Sequence, residues 1–279
     1  MRNLLKSDFY KLFRMKSFYV CCIVAAVISV VSMSLNAAVN SMTESFGDID
    51  VSVQTTSFEN ILYNLISPDG DWFILAIIGV SLFVTIEYNS GTLKNIAARG
   101  FKRENIFFSK LIVCIIETFI ITLCFALACV ISGALMLGVP AGGFNDDFWK
   151  VFLTMGGVDI LILIGYTCFI VMVAYLVRTN GGTIALSLCA HYLIPTVLVM
   201  FNATQLVSPE STSSDLEKLI SYSTNPYGNV AYCWIGTLGG TVGESYHNGT
   251  IYIPILIAIA YIVVTSFLGM LTFKKRDIK

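Results

Sequence analysis

Residues 111–137 read LIVCIIETFIITLCFALACVISGALML, an apolar run with a single charged residue, Glu117. A helix needs about 20 apolar residues to cross the hydrocarbon core of a bilayer, so this run is long enough to span a membrane. Lys110 comes directly before the run, and no basic residue follows it until Lys150. The run therefore predicts a membrane-spanning helix whose basic end faces the cytoplasm.

The composition of the whole chain agrees with this interpretation. The chain is 56% hydrophobic and only 13% charged, whereas soluble domains carry about 25% charged residues. The net charge is −1, which gives no support to nucleic-acid binding. Apart from Asp69 and Asp71 at the start of the run at residues 67–86, each apolar run has at most one Asp, Glu, Lys, Arg or His residue, and none has a Cys/His ligand cluster. We therefore expect no catalytic residue, no bound cofactor and no metal in this chain.

Five more apolar runs predict spans, so the fold class is an all-α polytopic membrane protein with six transmembrane helices. Pro68, with Ser67 as N-cap, gives the second span a typical helix start. We expect a single transmembrane domain over residues 1–279. The predicted spans are residues 17–38, 67–86, 111–137, 151–177, 183–202 and 251–273, and the outer loops are residues 39–66, 138–150 and 203–250.

Residues 1–16 predict an amphipathic helix that lies along the membrane interface. Leu5, Phe9, Leu12 and Phe13 share its predicted apolar face, as in helices that bury one side in the headgroup region. In the last outer loop, residues 214–217 resemble a capping box. The Gly-rich stretch 234–243 is compatible with a re-entrant segment, and the sequence leaves that choice open.

The basic residues fix the orientation of the chain. Of the 17 Lys and Arg residues, all except Lys150 and Lys218 fall in segments on one side of the predicted membrane. Basic residues mark cytoplasmic flanks. Both termini are therefore expected in the cytoplasm.

The loop between the second and third spans has its own pattern. Residues 87–103 read EYNSGTLKNIAARGFKR. Leu93, Ile96 and Ala97 have the i, i+3, i+4 spacing of one helix face, and Gly100 is suited to end that helix. An apolar face on a short loop helix predicts a docking element.

This loop, together with Ser109-Lys110-Leu111, resembles the corresponding loop of type-2 ATP-binding-cassette (ABC) permeases, especially small bacterial bacitracin-resistance and lantibiotic-immunity permeases. The six spans, the interfacial helix and the long last outer loop fit the same resemblance. It implies a coupling helix near residues 92–99 that docks on a separate ABC ATPase subunit, which carries ATP-Mg. It also implies a second permease subunit, identical or similar. The implied coupling residues are Glu87, Gly91, Thr92, Leu93, Lys94, Ile96, Ala97, Arg99, Gly100 and Arg103.

The sequence contains no GxxxxGK[ST] phosphate-binding loop, so any ATP hydrolysis belongs to another chain. We expect an export permease of the bacterial plasma membrane that moves an antimicrobial peptide or another amphiphile. One alternative is an ion-coupled secondary carrier that uses Glu117 and Asp159. Another is a membrane immunity or sensor protein that traps peptide on its outer loops without transporting it.

Four polar residues have two or more interpretations. Glu87 is either an interfacial acid in water or a contact that holds the coupling loop or the N-terminal helix. Glu117 is a partner of a cytoplasmic Arg or Lys, a residue of conformational coupling or a proton relay, and similar logic applies to Asp159. His191 is either a hydrogen-bonded packing residue or a substrate contact.

Overall fold

A computed structural model describes residues 2–45, 58–63, 65–68, 70–92, 96, 100–138, 144, 146–206 and 233–275. Within these ranges the chain forms helices and turns and no strand. A 3-10 turn, Gly239–Thr241, precedes the eighth of the α-helices. The α-helices are α1 (Arg2–Arg14), α2 (Lys16–Ser45), α3 (Phe58–Tyr63), α4 (Phe73–Asn89), α5 (Arg103–Met136), α6 (Asp146–Val177), α7 (Asn180–Leu206), α8 (Val242–His247) and α9 (Tyr252–Lys275).

Five of these helices, α2, α5, α6, α7 and α9, are long and apolar enough to cross a membrane. Large apolar side chains are exposed on their outer faces, for example Ile23, Ile131 and Leu153. So much exposed apolar surface is unfavourable in water and suits lipid. The all-α, multi-pass membrane fold expected from the sequence is confirmed at this level, while α4 contributes a shorter apolar helix.

Helix α6 lies at the centre of the bundle. It packs extensively against α9, while α2 packs along α5 and α4 lies among α5, α6 and α7. Gly165 on α6 permits a close approach of α9, because an added Cβ would lie 3.3 Å from the Ala258 carbonyl oxygen and 2.8 Å from Ile235 Cδ1. The largest fully buried side chains include Tyr166 and Tyr175, both also on α6. The core is therefore organised around this helix.

Helix α4 starts later than the sequence predicts. It begins at Phe73, with Trp72 as N-cap, so the helix start predicted at Ser67-Pro68 is wrong. Trp72 is buried, and its ring stacks on Phe125 at 5.1 Å between centroids. The indole also folds over Gly70, where an added Cβ would lie 2.7 Å from Trp72 Cδ1. Burial of a large aromatic ring outweighs the small preference for a capping residue.

Helices α6 and α7 are joined by only two residues, Arg178 and Thr179. Arg178 has φ +62°, and its N–H donates to the Ala174 carbonyl at 3.0 Å, which closes the last turn of α6. So short a connection forces α6 and α7 into an antiparallel hairpin. Pro195 lies inside α7, which continues to Leu206.

The Gly-rich stretch 234–243 folds into turns, the 3-10 turn and the start of α8. Ile235, Leu238 and Val242 are buried there, so protein contacts shield part of this stretch. The predicted capping box at residues 214–217 lies outside the described residues. The interfacial position of α1 and the boundaries of the outer loops remain predictions.

Candidate functional site

Helix α1 places an acidic residue in the middle of its buried face. Leu4, Asp8 and Leu12 follow one another at i, i+4 and i+8, and all three are buried. The predicted apolar face had Leu12 in common with this one, but Phe13 is 49% exposed. Leu5 and Phe9, also on the predicted face, are half-buried against the core, so three of the four predicted residues contact the bundle. Asp8, not a hydrophobic residue, occupies the centre of the contact with the bundle.

Asp8 is buried because α5 provides partners for both of its carboxylate oxygens. Lys110 Nζ donates to Asp8 Oδ1 at 2.9 Å, and Ser109 Oγ donates to Asp8 Oδ2 at 2.7 Å. Asp8 and Lys110 are each only 1% exposed. Two consecutive residues at the start of α5 thus bind one carboxylate of α1.

Glu87, at the end of α4, completes the cluster. Its Oε1 accepts hydrogen bonds from Lys110 Nζ and from Lys11 Nζ, the latter at 2.8 Å. Lys11 also lies 3.9 Å from Asp8 Oδ1. We call Asp8, Lys11, Glu87 and Lys110 the charge network. It joins α1, α4 and α5, and its two carboxylates balance its two ammonium groups.

Such a network holds three helices in one arrangement. A buried ion pair adds little net stability compared with a well-packed apolar replacement, because both charges lose their hydration. Removing only one partner, however, leaves an uncompensated buried charge and costs about 3–5 kcal/mol. The Lys110 ammonium also lies 4.5 Å from the centroid of the Phe83 ring, which adds a cation–π contact. The geometry therefore specifies how α1, α4 and α5 fit together.

The neighbouring residue Tyr88 ties the end of α4 to α6. The Arg178 guanidinium carbon lies 5.4 Å from the centroid of the Tyr88 ring. Tyr88 also packs edge-on against Tyr175, with ring centroids 5.9 Å apart. The last turn of α4 is thus held on two sides, by the charge network and by the end of α6.

The predicted coupling loop follows directly. Gly91 and Gly100 have φ +66° and +80°, conformations that glycine adopts without strain. Thr92 and Ile96 are helical, and Ile96 is half-buried against the bundle's own core. Leu93, Lys94, Ala97 and Arg99 lie outside the described residues, so the extent and the docking role of the predicted helix remain predictions.

Arg103, also predicted in the coupling loop, is the first residue of α5. Its Nη1 donates to the carbonyl oxygen of Lys274 at 3.0 Å, and Lys274 Nζ lies 3.0 Å from Glu104 Oε1. The last carbonyl groups of a helix have no hydrogen-bond donor within the helix. At the end of α9, Arg103 supplies a donor to one of them. The loop therefore returns to the bundle beside the end of the last helix.

Comparison with known protein families gives one match. A family model described as ABC-2 family transporter protein matches residues 4–196. The chain belongs to this family. The matched region contains the whole charge network, both ends of the predicted coupling loop, most of α1 and the helices α2 to α6. A comparison with curated proteins finds no match.

Family membership makes this permease a membrane transport component and confirms the resemblance to type-2 ABC permeases seen in the sequence. Proteins of this class are generally not catalytic themselves. The order of the helices is consistent with the match, since the loop between α4 and α5 is the one that carried the resemblance.

Glu117 lies in the permease in a different environment from the charge network. It is fully buried on α5, and neither of its carboxylate oxygens has a hydrogen-bond partner among the described residues. The ion pair with a Lys or Arg that was one interpretation of Glu117 is therefore not formed within them. A Cβ added at Gly79 on α4 would lie 3.0 Å from Glu117 Oε1. The side chain thus points at the surface of α4.

The other two intramembrane candidates lie on other helices. Asp159 is buried on α6 and is 2% exposed. His191 on α7 is buried, and its Nδ1 lies 3.0 Å from the hydroxyl oxygen of Tyr166. The His191 ring is also 6.0 Å from the Phe73 ring. These contacts match the interpretation of His191 as a hydrogen-bonded packing residue.

Sequence reasoning missed Asp8, and it treated Lys110 as a flanking charge and as part of the family resemblance but not as a buried partner. A signal was present for Asp8, because it lies four residues after Leu4 and four residues before Leu12. That spacing puts it on the same helix face as both. For Glu87, the structure shows the contact with the N-terminal helix that one of its two interpretations named, through Lys11.

Proposed function

We propose that this permease couples ATP hydrolysis by a separate ABC ATPase subunit to the export of an amphiphilic substrate, such as an antimicrobial peptide, across a bacterial plasma membrane. In this proposal the permease works with a second permease subunit. The ATPase subunit binds ATP-Mg and docks on the coupling loop, residues 87–103.

One observation carries the proposal. Glu87, the first residue of the coupling loop, and Lys110, seven residues beyond its last, are 23 residues apart and form an ion pair within the buried charge network. The last turn of the helix that enters the loop is therefore joined to the second turn of the helix that leaves it. A force applied to the loop would move the ends of α4 and α5 together instead of deforming the loop alone.

The same arrangement gives a role to α1. Through Asp8 and Lys11 it is bonded to the ends of both helices that carry the loop. We propose that α1 lies along the cytoplasmic interface, as its exposed basic residues favour. Movement of the loop would then displace α1 across the membrane surface, while the bundle behind it rearranges.

The proposal includes six spans with both termini in the cytoplasm. Helix α4 has 17 residues, or about 26 Å at 1.5 Å per residue, slightly less than the roughly 30 Å of a hydrocarbon core. Leu65, Ser67 and Trp72, which precede it, are buried in protein. Non-helical backbone is tolerated at membrane depth where protein covers it, so these residues would complete the crossing.

The coupling role is tested by changing the loop and measuring ATPase binding. Leu93→Asp is expected to abolish co-purification of the ATPase subunit, because a carboxylate would enter an apolar contact. Leu93→Met is the matched control and should keep binding, since it preserves an apolar side chain of similar volume. Membrane insertion of both variants is checked in parallel. ATPase binding by Leu93→Asp at the level of the control would rule out this docking site.

The orientation is tested separately with an impermeant thiol reagent on whole cells. In a variant without native cysteines, Lys150→Cys should be labelled on intact cells, and Lys275→Cys only after lysis. Both residues are exposed in the structure. Labelling of Lys150→Cys only after lysis would overturn the proposed topology.

A second candidate function is favoured by Glu117. A buried carboxylate without a hydrogen-bond partner among the described residues is a recognised feature of ion- and proton-coupled carriers. In that case a pH or ion gradient would drive transport in vesicles that contain no ATP. Transport that needs ATP and the ATPase subunit, and persists when the gradient is collapsed, would exclude it.

A further inference from the structure

An open groove runs between the end of α1 and the end of α4, on the outer side of the charge network. Its volume is about 590 Å³. On each helix the lining includes residues spaced four apart, Tyr10 and Arg14 on α1 and Phe83 and Glu87 on α4, so one face of each forms a wall. The lining consists of Tyr10, Lys11, Arg14 and Met15 on one side and Phe83, Ile86, Glu87, Ser90 and Thr92 on the other.

The floor of the groove is apolar. Phe83 and Ile86 come from α4, and Met15 comes from the single residue between α1 and α2. Ile86 remains 45% exposed although charged groups surround it. An exposed isoleucine beside cations does not suit a small hydrophilic solute, whereas it provides contact area for a hydrocarbon chain.

The rim of the groove is cationic. The Arg14 side chain is exposed, donates to the Tyr10 hydroxyl at 3.0 Å and lies 5.7 Å from the centroid of the Tyr10 ring. The Lys11 side chain is 37% exposed even while it contacts Glu87, and it lines the groove. The four charges of the network cancel, and Arg14 therefore leaves the groove with a net positive charge.

Two hydroxyl groups lie on the opposite rim. Ser90 Oγ and Thr92 Oγ1 are 3.2 Å apart, and both residues line the groove. Hydroxyl groups and an arginine fork are common ligands of phosphate oxygens. Ser90 Oγ also donates to the Ile86 carbonyl oxygen at 2.8 Å, so the phosphate-binding capacity of the rim rests mainly on Arg14 and Lys11. The groove thus combines an apolar floor with a cationic edge.

We propose that this groove binds one anionic phospholipid, with its phosphodiester between Arg14 and Lys11 and an acyl chain along Met15, Phe83 and Ile86. The inference rests on the proposed orientation, which places α1 at the cytoplasmic leaflet, where anionic lipids are found. The bound lipid would bridge α1 and α4 directly beside the charge network. Lipid composition would then bias the position of α1, and through it the ends of α4 and α5.

The test is a lipid titration of the purified full-length permease in neutral detergent, followed by native mass spectrometry. The dissociation constant of the first bound dioleoyl phosphatidylglycerol is measured for the unchanged protein and two variants. Arg14→Gln should weaken binding about tenfold, the effect of losing one charge-assisted contact. Lys6→Gln removes the same charge from an exposed position of α1 outside the groove, and should change the constant by less than about twofold.

Three further measurements separate a lipid from other occupants. Dioleoyl phosphatidylcholine should bind at least about tenfold more weakly, because its headgroup carries no net charge. Ile86→Asn should weaken binding without changing the charge of the groove. Millimolar inorganic phosphate should not displace the lipid, since it makes no contact with the apolar floor.

The proposal is overturned if Arg14→Gln and Lys6→Gln behave alike, or if inorganic phosphate displaces the lipid, which would indicate a simple anion site. Displacement of the lipid by purified ATPase subunit would also overturn it and assign the groove to a protein contact. Leu93→Asp, which tests ATPase docking, should leave lipid binding unchanged. Failure of the docking site and failure of the lipid site are thus observed in different variants.

Discussion

The charge network and the surroundings of Glu117 share one helix, α5, yet they treat buried carboxylates differently. In the network, Asp8 and Glu87 both contact ammonium groups. Glu117, seven residues beyond Lys110, has no hydrogen-bond partner among the described residues. The three carboxylates are thus about equally buried, but those of the network have charged partners and that of Glu117 has none among the described residues. The difference arises because the Lys110 ammonium points toward α1 and α4, where it contacts Asp8 and Glu87, and forms no ion pair with Glu117 on its own helix.

The comparison separates two physical roles. A carboxylate with charged partners fixes the relative positions of the elements that supply them, and it becomes costly when a partner is removed. A buried carboxylate without a partner is unfavourable as it stands and tends to take up a proton or a ligand. The network is thus suited to transmit movement, and Glu117 is suited to respond to a change in its surroundings.

The largest effect is expected from Lys110→Met, which removes the lysine that pairs with both carboxylates of the charge network. It leaves Asp8 and Glu87 buried with Lys11 as their remaining ammonium partner, and the permease should lose about 3–5 kcal/mol of unfolding free energy. The measurement is denaturant unfolding in mild detergent. Lys150→Met is the control, because Lys150 pairs with Asp147 in an exposed ion pair and such pairs contribute little.

Lys110→Met combined with Asp8→Asn and Glu87→Gln should recover part of that loss, since no charged carboxylate then remains buried in the network. A triple variant that is less stable than Lys110→Met would show that the charges themselves are not the cause. In that case the packing of the lysine side chain would explain the effect.

Smaller effects on the unfolding free energy, of opposite sign, are expected when Glu is replaced by Gln at position 87 and at position 117. Glu87→Gln should lower the unfolding free energy by about 1–3 kcal/mol, because it removes a charged acceptor from two lysines. Glu117→Gln should leave it unchanged or raise it, because it replaces a carboxylate that has no such partners. Equal destabilisation by both would show that Glu117 is stabilised as a charge in the folded permease.

The smallest effect is expected at the contact between α4 and Glu117. Gly79→Ala would place a Cβ 3.0 Å from Glu117 Oε1 and 3.4 Å from Ile121 Cδ1, and should lower the unfolding free energy by about 1 kcal/mol. Gly156→Ala makes the same change inside α6, where the nearest atom lies at 3.7 Å. It should be neutral or stabilising, since alanine favours helix. Similar losses at both sites would indicate that the close approach to Glu117 is unimportant.

The membrane fold was predictable because hydrophobicity is a local property of the chain. Five predicted spans coincide with long apolar helices, and no knowledge of tertiary contacts was needed to find them. The start of α4 was not predictable in the same way. Ser67 and Pro68 have the chemistry of a helix start, but Trp72 is buried against Phe125, which belongs to another helix.

The candidate site shows the same limit more clearly. The loop between α4 and α5 was recognised from its own residues, since Gly91, Thr92 and Gly100 lie close together in the chain. The charge network was not, because its contacts join residues 76 and 102 positions apart. Single-sequence reasoning assigns a buried acid to the solvent side of an amphipathic helix. Only the position of Lys110 shows that Asp8 belongs inside.

The bond between Asp8 and Lys110 also sets an order of events during biosynthesis. Lys110 follows Asp8 by 102 residues, and ribosomes add roughly 5–20 residues per second. For about 5–20 seconds, then, the nascent chain carries α1 without its anchoring lysine. Helix α1 therefore cannot form this contact until the part of α5 that carries Lys110 has left the ribosome.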